Sequence, residues 1–128
     1  EFNHSQENGL HFLQIWIETA QRGIQPSYEQ KHFPTAERQG QWRLVLSPDG
    51  RDGSVSVNQD VNLYASLLGA GDQVTAPPSR YAWLHVVKGA VEVNGERLTT
   101  GDAAAFTPDE HVELTSSDAS EVLLFDLA

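Results

Sequence analysis

Arg80-Tyr81-Ala82-Trp83-Leu84-His85-Val86-Val87-Lys88-Gly89-Ala90-Val91-Glu92-Val93-Asn94-Gly95-Glu96-Arg97-Leu98 is the stretch on which the fold turns. Residues 80–88 form a long apolar run that Gly89 ends. Residues 90–93 and 96–98 then flank Asn94-Gly95, the dipeptide that supplies the positive backbone angles of a two-residue hairpin turn. Working outward, residues 103–106, 111–115 and 121–127 are further short apolar runs. Upstream, residues 42–46 make a first strand and Ser47-Pro48-Asp49-Gly50-Arg51-Asp52-Gly53 a dense turn signal. Residues 54–58 alternate, with Val55 and Val57 expected inward. Residues 61–68 put Val61, Leu63, Ala65 and Leu67 on one face, and Gly69-Ala70-Gly71-Asp72 turns again. Short strands at regular spacing, separated by Gly, Pro and Asn, predict an all-β sandwich or barrel. The only helix candidate is one turn at Pro34-Thr35-Ala36-Glu37-Arg38, ended by Gly40.

The N-terminal segment behaves differently. Leu10-His11-Phe12-Leu13-Gln14-Ile15-Trp16-Ile17 is apolar on both faces, where a strand with one wet face would alternate. It predicts a strand covered on both sides. The chain has no methionine and reaches this strand within ten residues of its first residue. The expectation is therefore the C-terminal part of a longer protein, the strand having left its partner sheet behind. Arg22-Gly23-Ile24-Gln25-Pro26-Ser27 reads as an extended connection, with Pro26 holding its predecessor out of the helical region.

Composition bounds the function. The 128 residues suffice for one domain with a core. Eight basic residues against 18 acidic ones give a net charge of -10, and the basic residues are scattered. Direct binding of nucleic-acid phosphate needs clustered Lys and Arg, so it is not expected. The absence of cysteine removes disulfides, thiolate metal sites and cysteine nucleophiles. It suits a cytoplasmic protein. No apolar run approaches the ~20 residues of a membrane helix. Gly50-Arg51-Asp52-Gly53 lacks the lysine and following helix of a phosphate loop.

Four stretches carry a family resemblance. Glu1-Phe2-Asn3, Leu13-Gln14-Ile15-Trp16-Ile17, Pro26-Ser27-Tyr28-Glu29-Gln30 and residues 47–54 together resemble the pirin-like bicupins. The resemblance implies a cupin fold, a double-stranded β-helix or jelly-roll-like barrel, in a chain that is a fragment of a bicupin. Residues 1–33 would be a remnant strand of the N-terminal barrel plus a linker, and residues 34–128 the C-terminal, metal-free barrel. In the family the N-terminal barrel holds one metal, usually iron, through three histidines and a glutamate. Bacterial members are commonly quercetin 2,3-dioxygenases, which open the flavonol ring with O2. Glu1 aligns with the glutamate ligand, so the resemblance implies a metal-binding and catalytic role for Glu1 in the intact parent. The three histidines would lie upstream. The fragment alone is expected to be inactive, to hold no iron and to self-associate through its exposed first strand. The resemblance leaves two other readings open. One is a regulatory, protein-binding cofactor with the metal as redox sensor. The other is a metal-free cupin that binds a small ligand.

Other candidates are weighed on their residues. His4 and His11 are seven residues apart, roughly 23 Å along an extended chain, too far to share one ion. His32 reads as a loop residue. The C-terminal barrel's own ligand positions, set by the cupin pattern, fall near Thr75, Pro77 and Ala82, none able to bind a metal. In Pro108-Asp109-Glu110-His111-Val112-Glu113 the usual histidine is replaced by Glu113, with His111 expected on the opposite strand face. Asp109, Glu110 and Glu113 read as a solvated acidic loop. His85, beside Tyr81, Trp83 and Val87, reads as a packed core or barrel-mouth residue, since a catalytic base needs a pocket and a polar orienting partner.

Overall fold

The structure, a computed structural model, describes all 128 residues. One helical turn, α1 (Thr35–Arg38), precedes ten strands. These are β1 (Arg43–Ser47), β2 (Val55–Ser56), β3 (Val61–Leu68), β4 (Gln73–Thr75), β5 (Tyr81–Lys88), β6 (Ala90–Val93), β7 (Glu96–Thr99), β8 (Ala103–Phe106), β9 (Glu113–Ser116) and β10 (Ser120–Leu127). A six-stranded sheet has the order β2-β1-β3-β10-β5-β8, and a four-stranded sheet the order β4-β9-β6-β7. All pairs are antiparallel except β1 with β2. The sheets pack face to face. Leu68, Ala82, Leu84, Val86, Val122 and Leu124 of the large sheet meet Val91, Val93 and Leu114 of the small one, with Val112 beside them.

The hairpin forms as the sequence requires. Asn94 has φ 47° and Gly95 φ 87°, the paired positive angles of the tight turn. Asn94 also works through its side chain, which donates to His111 O at 2.7 Å and accepts from Glu113 N–H at 3.0 Å. The turn thus ties β6–β7 to the start of β9.

Four expectations need correction. Residues 10–17 form no strand. The segment lies over the side chains of a sheet face, which offers no backbone N–H or C=O, so no ladder can form. The run at 54–58 shortens to Val55–Ser56, because only Leu46 and Ser47 of β1 lie in register to pair with it. Val55 and Val57 are half-buried, and Ser54 is the buried residue, its hydroxyl 2.7 Å from that of Ser47. The third correction is β3, buried on both faces rather than one, with Asn62 and Ser66 buried opposite Val61, Leu63 and Ala65. It lies in the middle of the large sheet. Finally, β4 stands where no strand was expected, since its three residues are too few to show a period.

Residues 18–31 run antiparallel to residues 54–59. Ala20 N–H donates to Asn58 O (2.8 Å), and Gln59 Nε2 donates to Glu18 O (3.0 Å). Ser56 N–H donates to Glu29 Oε1 (3.0 Å), and Lys31 Nζ to Ser54 O (2.9 Å). The Arg43 guanidinium then sits 5.0 Å over the Phe33 ring. The connection is therefore extended, as Pro26 requires, and fastened beside the outermost strand of the large sheet.

Candidate functional site

The barrel interior is the first place to look for chemistry in two packed sheets of this shape. Ala82 points into it and is buried. Its neighbours are Leu, Val and Ala, with Trp42, Tyr64 and Phe106 at the margins. None of the five histidines lies among them. Glu113 does not face inward either. It pairs across the ladder with Thr75, and both are exposed, while Val112 and Leu114 on either side of it are buried. His111 was expected on the opposite face. Two residues apart in extended chain is one full period, so the two share a side. His111 Nε2 lies 3.1 Å from Glu113 Oε1, both side chains in solvent.

The loop ends of the barrel leave an open depression of ≈ 360 Å³ lined by Thr75, Pro77, Ser79, Pro108, Asp109 and His111 among others. One of its acidic residues is occupied locally. Glu110 Oε2 accepts from Thr107 N–H at 2.6 Å and lies 3.2 Å from the Thr107 hydroxyl, which caps the turn.

His85 lies at neither the core nor the mouth. The β5–β10 register sets it against Leu123, with Trp83 against Phe125 and Tyr81 against Leu127, all on the outer face of the large sheet. Across β8 the same face continues with Ala103 and Ala105. His85 makes no hydrogen bond, so it lacks the orienting partner a base needs. Tyr81 is 53% and Trp83 45% exposed. The N-terminal segment only skims this face. Leu13, Gln14 and Ile15 stand across a gap of ≈ 250 Å³ from Trp83, His85, Leu123 and Phe125. His11, Phe12 and Leu13 stand across another from Val87, Glu121 and Leu123. Trp16 is 87% exposed. Exposed aromatic and aliphatic side chains thus gather on this one face.

A polar network that sequence reading missed holds the other flank. Asp126, 7% exposed, accepts from Asn62 Nδ2 (2.9 Å), Arg80 N–H (2.8 Å) and Arg80 Nε (3.4 Å). Arg80 continues to Asp60 at 2.7 Å, and Arg51 bridges Asn62 and Asp49 at 3.0 and 3.2 Å. The backbone N–H of Arg51, and then its guanidinium, hold the Asp49 carboxyl below the usual carboxylate range. The turn at 47–54 is thus built to aim Arg51 at β3. The one signal in the sequence is an aspartate inside the apolar run Val122-Leu123-Leu124-Phe125-Asp126-Leu127, which burial would forbid without partners.

Glu1 is exposed and its carboxylate makes no hydrogen bond or ion pair. The ring of His4 packs on Phe2 at 4.5 Å, and residues 3–8 form a local turn held by Asn3 and Ser5. Nowhere do three or more His, Asp or Glu side chains come together as a metal group. A lone solvent carboxylate does not fit iron, so these residues by themselves make no metal site. No helix is long and apolar enough to cross a membrane.

With this geometry in view, the chain can be set beside known proteins. Residues 44–127 match the family described as "Quercetinase C-terminal cupin domain". Over 129 residues, 99% of this chain, it is 43% identical to "Quercetin 2,3-dioxygenase" of Escherichia coli K12, and these cover 54% of that protein. It is 39% identical to "Putative quercetin 2,3-dioxygenase PM1685" of Pasteurella multocida, over 99% of this chain and 55% of that one. Among solved structures, YhhW from Escherichia coli superposes with a TM-score of 0.79 at 40% identity, over 88% of this chain and 48% of that one. The same bacterial pirin in complex with nickel(II) gives 0.75, over 85% and 47%. The chain spans about half the length of the curated relatives it matches.

Proposed function

Because the chain belongs to the pirin-type quercetinases, as their C-terminal cupin domain, we propose that it completes an iron-dependent quercetin 2,3-dioxygenase whose other half lies upstream. In that intact protein Glu1 is the fourth metal ligand beside three upstream histidines. The substrates are a flavonol such as quercetin and O2. Residues 1–33 belong to the first barrel and the linker, and residues 34–128 form the metal-free second barrel. The observation that carries this reading is the 43% identity to a quercetin 2,3-dioxygenase across 99% of the chain. The physical support is the division of labour in the barrel: its interior is aliphatic, and its outer face is aromatic and exposed. That face gives the second barrel its task, to cover and brace the half that reacts.

Two experiments test the proposal. Glu1→Ala in the intact protein is expected to lower quercetin consumption by more than the roughly 10–100-fold that losing an outer-shell partner costs a metal site. Thermal melting of the second barrel should be unchanged, since Glu1 is bonded to nothing in it. Wild-type turnover in the variant would remove Glu1 from the site. The 128-residue chain alone, loaded with iron and passed through gel filtration, is expected to retain far less than one iron per chain and to leave quercetin absorbance unchanged. Stoichiometric iron would contradict the assignment of the remaining ligands to the upstream half.

A further inference from the structure

We infer that the open seam between β7 and β8 accepts an extended basic peptide by strand addition. It lies apart from Glu1 and does not depend on the dioxygenase assignment. The two sheets end here, β8 closing the large one and β7 the small one. Between them runs a groove of ≈ 210 Å³, lined by Val93, Leu98, Ala104 and Phe106, with Asn94, Glu96 and Glu110 at its rim.

The backbone of β8 is prepared for a partner on that side. Val86 N–H donates to Asp102 O at 2.9 Å. In an antiparallel ladder bonded and non-bonded pairs alternate. Ala104 opposite Leu84 and Phe106 opposite Ala82 therefore bond to β5, whereas Ala103 and Ala105 turn their N–H and C=O away from it. No other backbone or side chain takes up those groups. Natural edges are guarded by a charge, a proline or a bulge. Ala103-Ala104-Ala105-Phe106 has none of these, and its register to β5 is unbroken.

The occupant follows from the rim. Glu96 shares the groove face with Leu98, while Arg97 lies on the opposite side of β7. Glu110 offers its Oε1, its other oxygen being held by Thr107. No Lys or Arg lines the groove. Every second side chain of an added strand would enter the groove, an apolar one beside Leu98 and Phe106 and, two positions away on the same face, a Lys or Arg beside the rim carboxylates. A second copy of this chain is the poorer occupant, since each copy would bring the same acidic rim and a net charge of -10.

The test uses the intact protein and two fluorescent peptides, acetyl-Thr-Lys-Thr-Val-Thr-Lys-Thr-amide, which puts Lys, Val and Lys on one face, and its counterpart with Glu in place of Lys. The basic peptide is expected to bind saturably, at least tenfold tighter than the acidic one, and more weakly as salt rises. Ala105→Pro should weaken it at least tenfold. Proline is tolerated there because the lost N–H points away from β5, so circular dichroism and melting should stay as in the wild type. Ala105→Val should keep binding. Should Ala105→Pro prove unstable, Glu96→Lys serves instead and is expected to reverse the preference between the peptides. Equal binding by wild type and Ala105→Pro, equal binding of both peptides, or no binding would each overturn the proposal. So would an Ala105→Pro variant that abolished self-association alone, because the occupant would then be a second copy.

Discussion

Gly89 shows how much one residue decides. It ends β5 with φ +102°, and a Cβ there would stand 2.7 Å from Ser120 Cα and closer still to Ser120 Oγ. The backbone angle alone costs a side chain about 1–3 kcal/mol, and the overlap with fixed backbone adds about 1–3 kcal/mol. Gly89→Ala is therefore expected to destabilise the chain by about 2–6 kcal/mol in urea unfolding. A change below 0.5 kcal/mol would mean that β5 and β10 part more easily than their packing implies. The sequence revealed this glycine as a strand end but not why it must be glycine, because Ser120 is 31 positions away. The same holds for Asp126. Its oddity within an apolar strand is legible, whereas Asn62 and Arg80 as its partners depend on the β3–β10 register.

At the scale of the elements, legibility followed periodicity. The hairpin at Asn94-Gly95 and the apolar runs of β5, β8 and β10 were plain, because a two-residue turn and an apolar run are local signals. β4 was not, being three residues long. The segment at 10–17 misled for a different reason. Apolar residues on both faces suggested a strand covered on both sides, yet residues 10–16 are exposed and unpaired, because an apolar pattern reports neither a backbone edge to pair with nor a cover. Here it lies extended over the face of Trp83, His85 and Phe125. The same confusion touched His85. Its companions on the strand were read correctly, but alternation cannot tell the inner face of a sheet from an outer face that is also apolar. His111 was misplaced by counting from a motif: two positions from Glu113 is one full strand period, so both turn outward between the buried Val112 and Leu114.

For the whole molecule the fold was within reach of the sequence, through the regular spacing of short strands and the family resemblance. What could not be read was the surface a barrel of this kind presents when considered alone. Exposed Tyr81 and Trp83 beside half-buried Leu123 and Phe125, with exposed Leu10, Phe12, Ile15 and Trp16 above them, gather apolar side chains on one face in the manner of an interaction surface. Each such side chain gains roughly 1.5–3 kcal/mol on full burial, so several together favour any cover within reach. That cover is proposed to be the upstream barrel in the intact protein and a second copy for the 128-residue chain alone. Sedimentation velocity of the chain at micromolar concentration, with and without Trp83→Lys, tests this most directly. The wild type is expected to sediment as a dimer or larger and the variant to shift towards monomer with its fold intact. A wild-type chain that stays monomeric across that range would contradict the claim that this face exists to be covered.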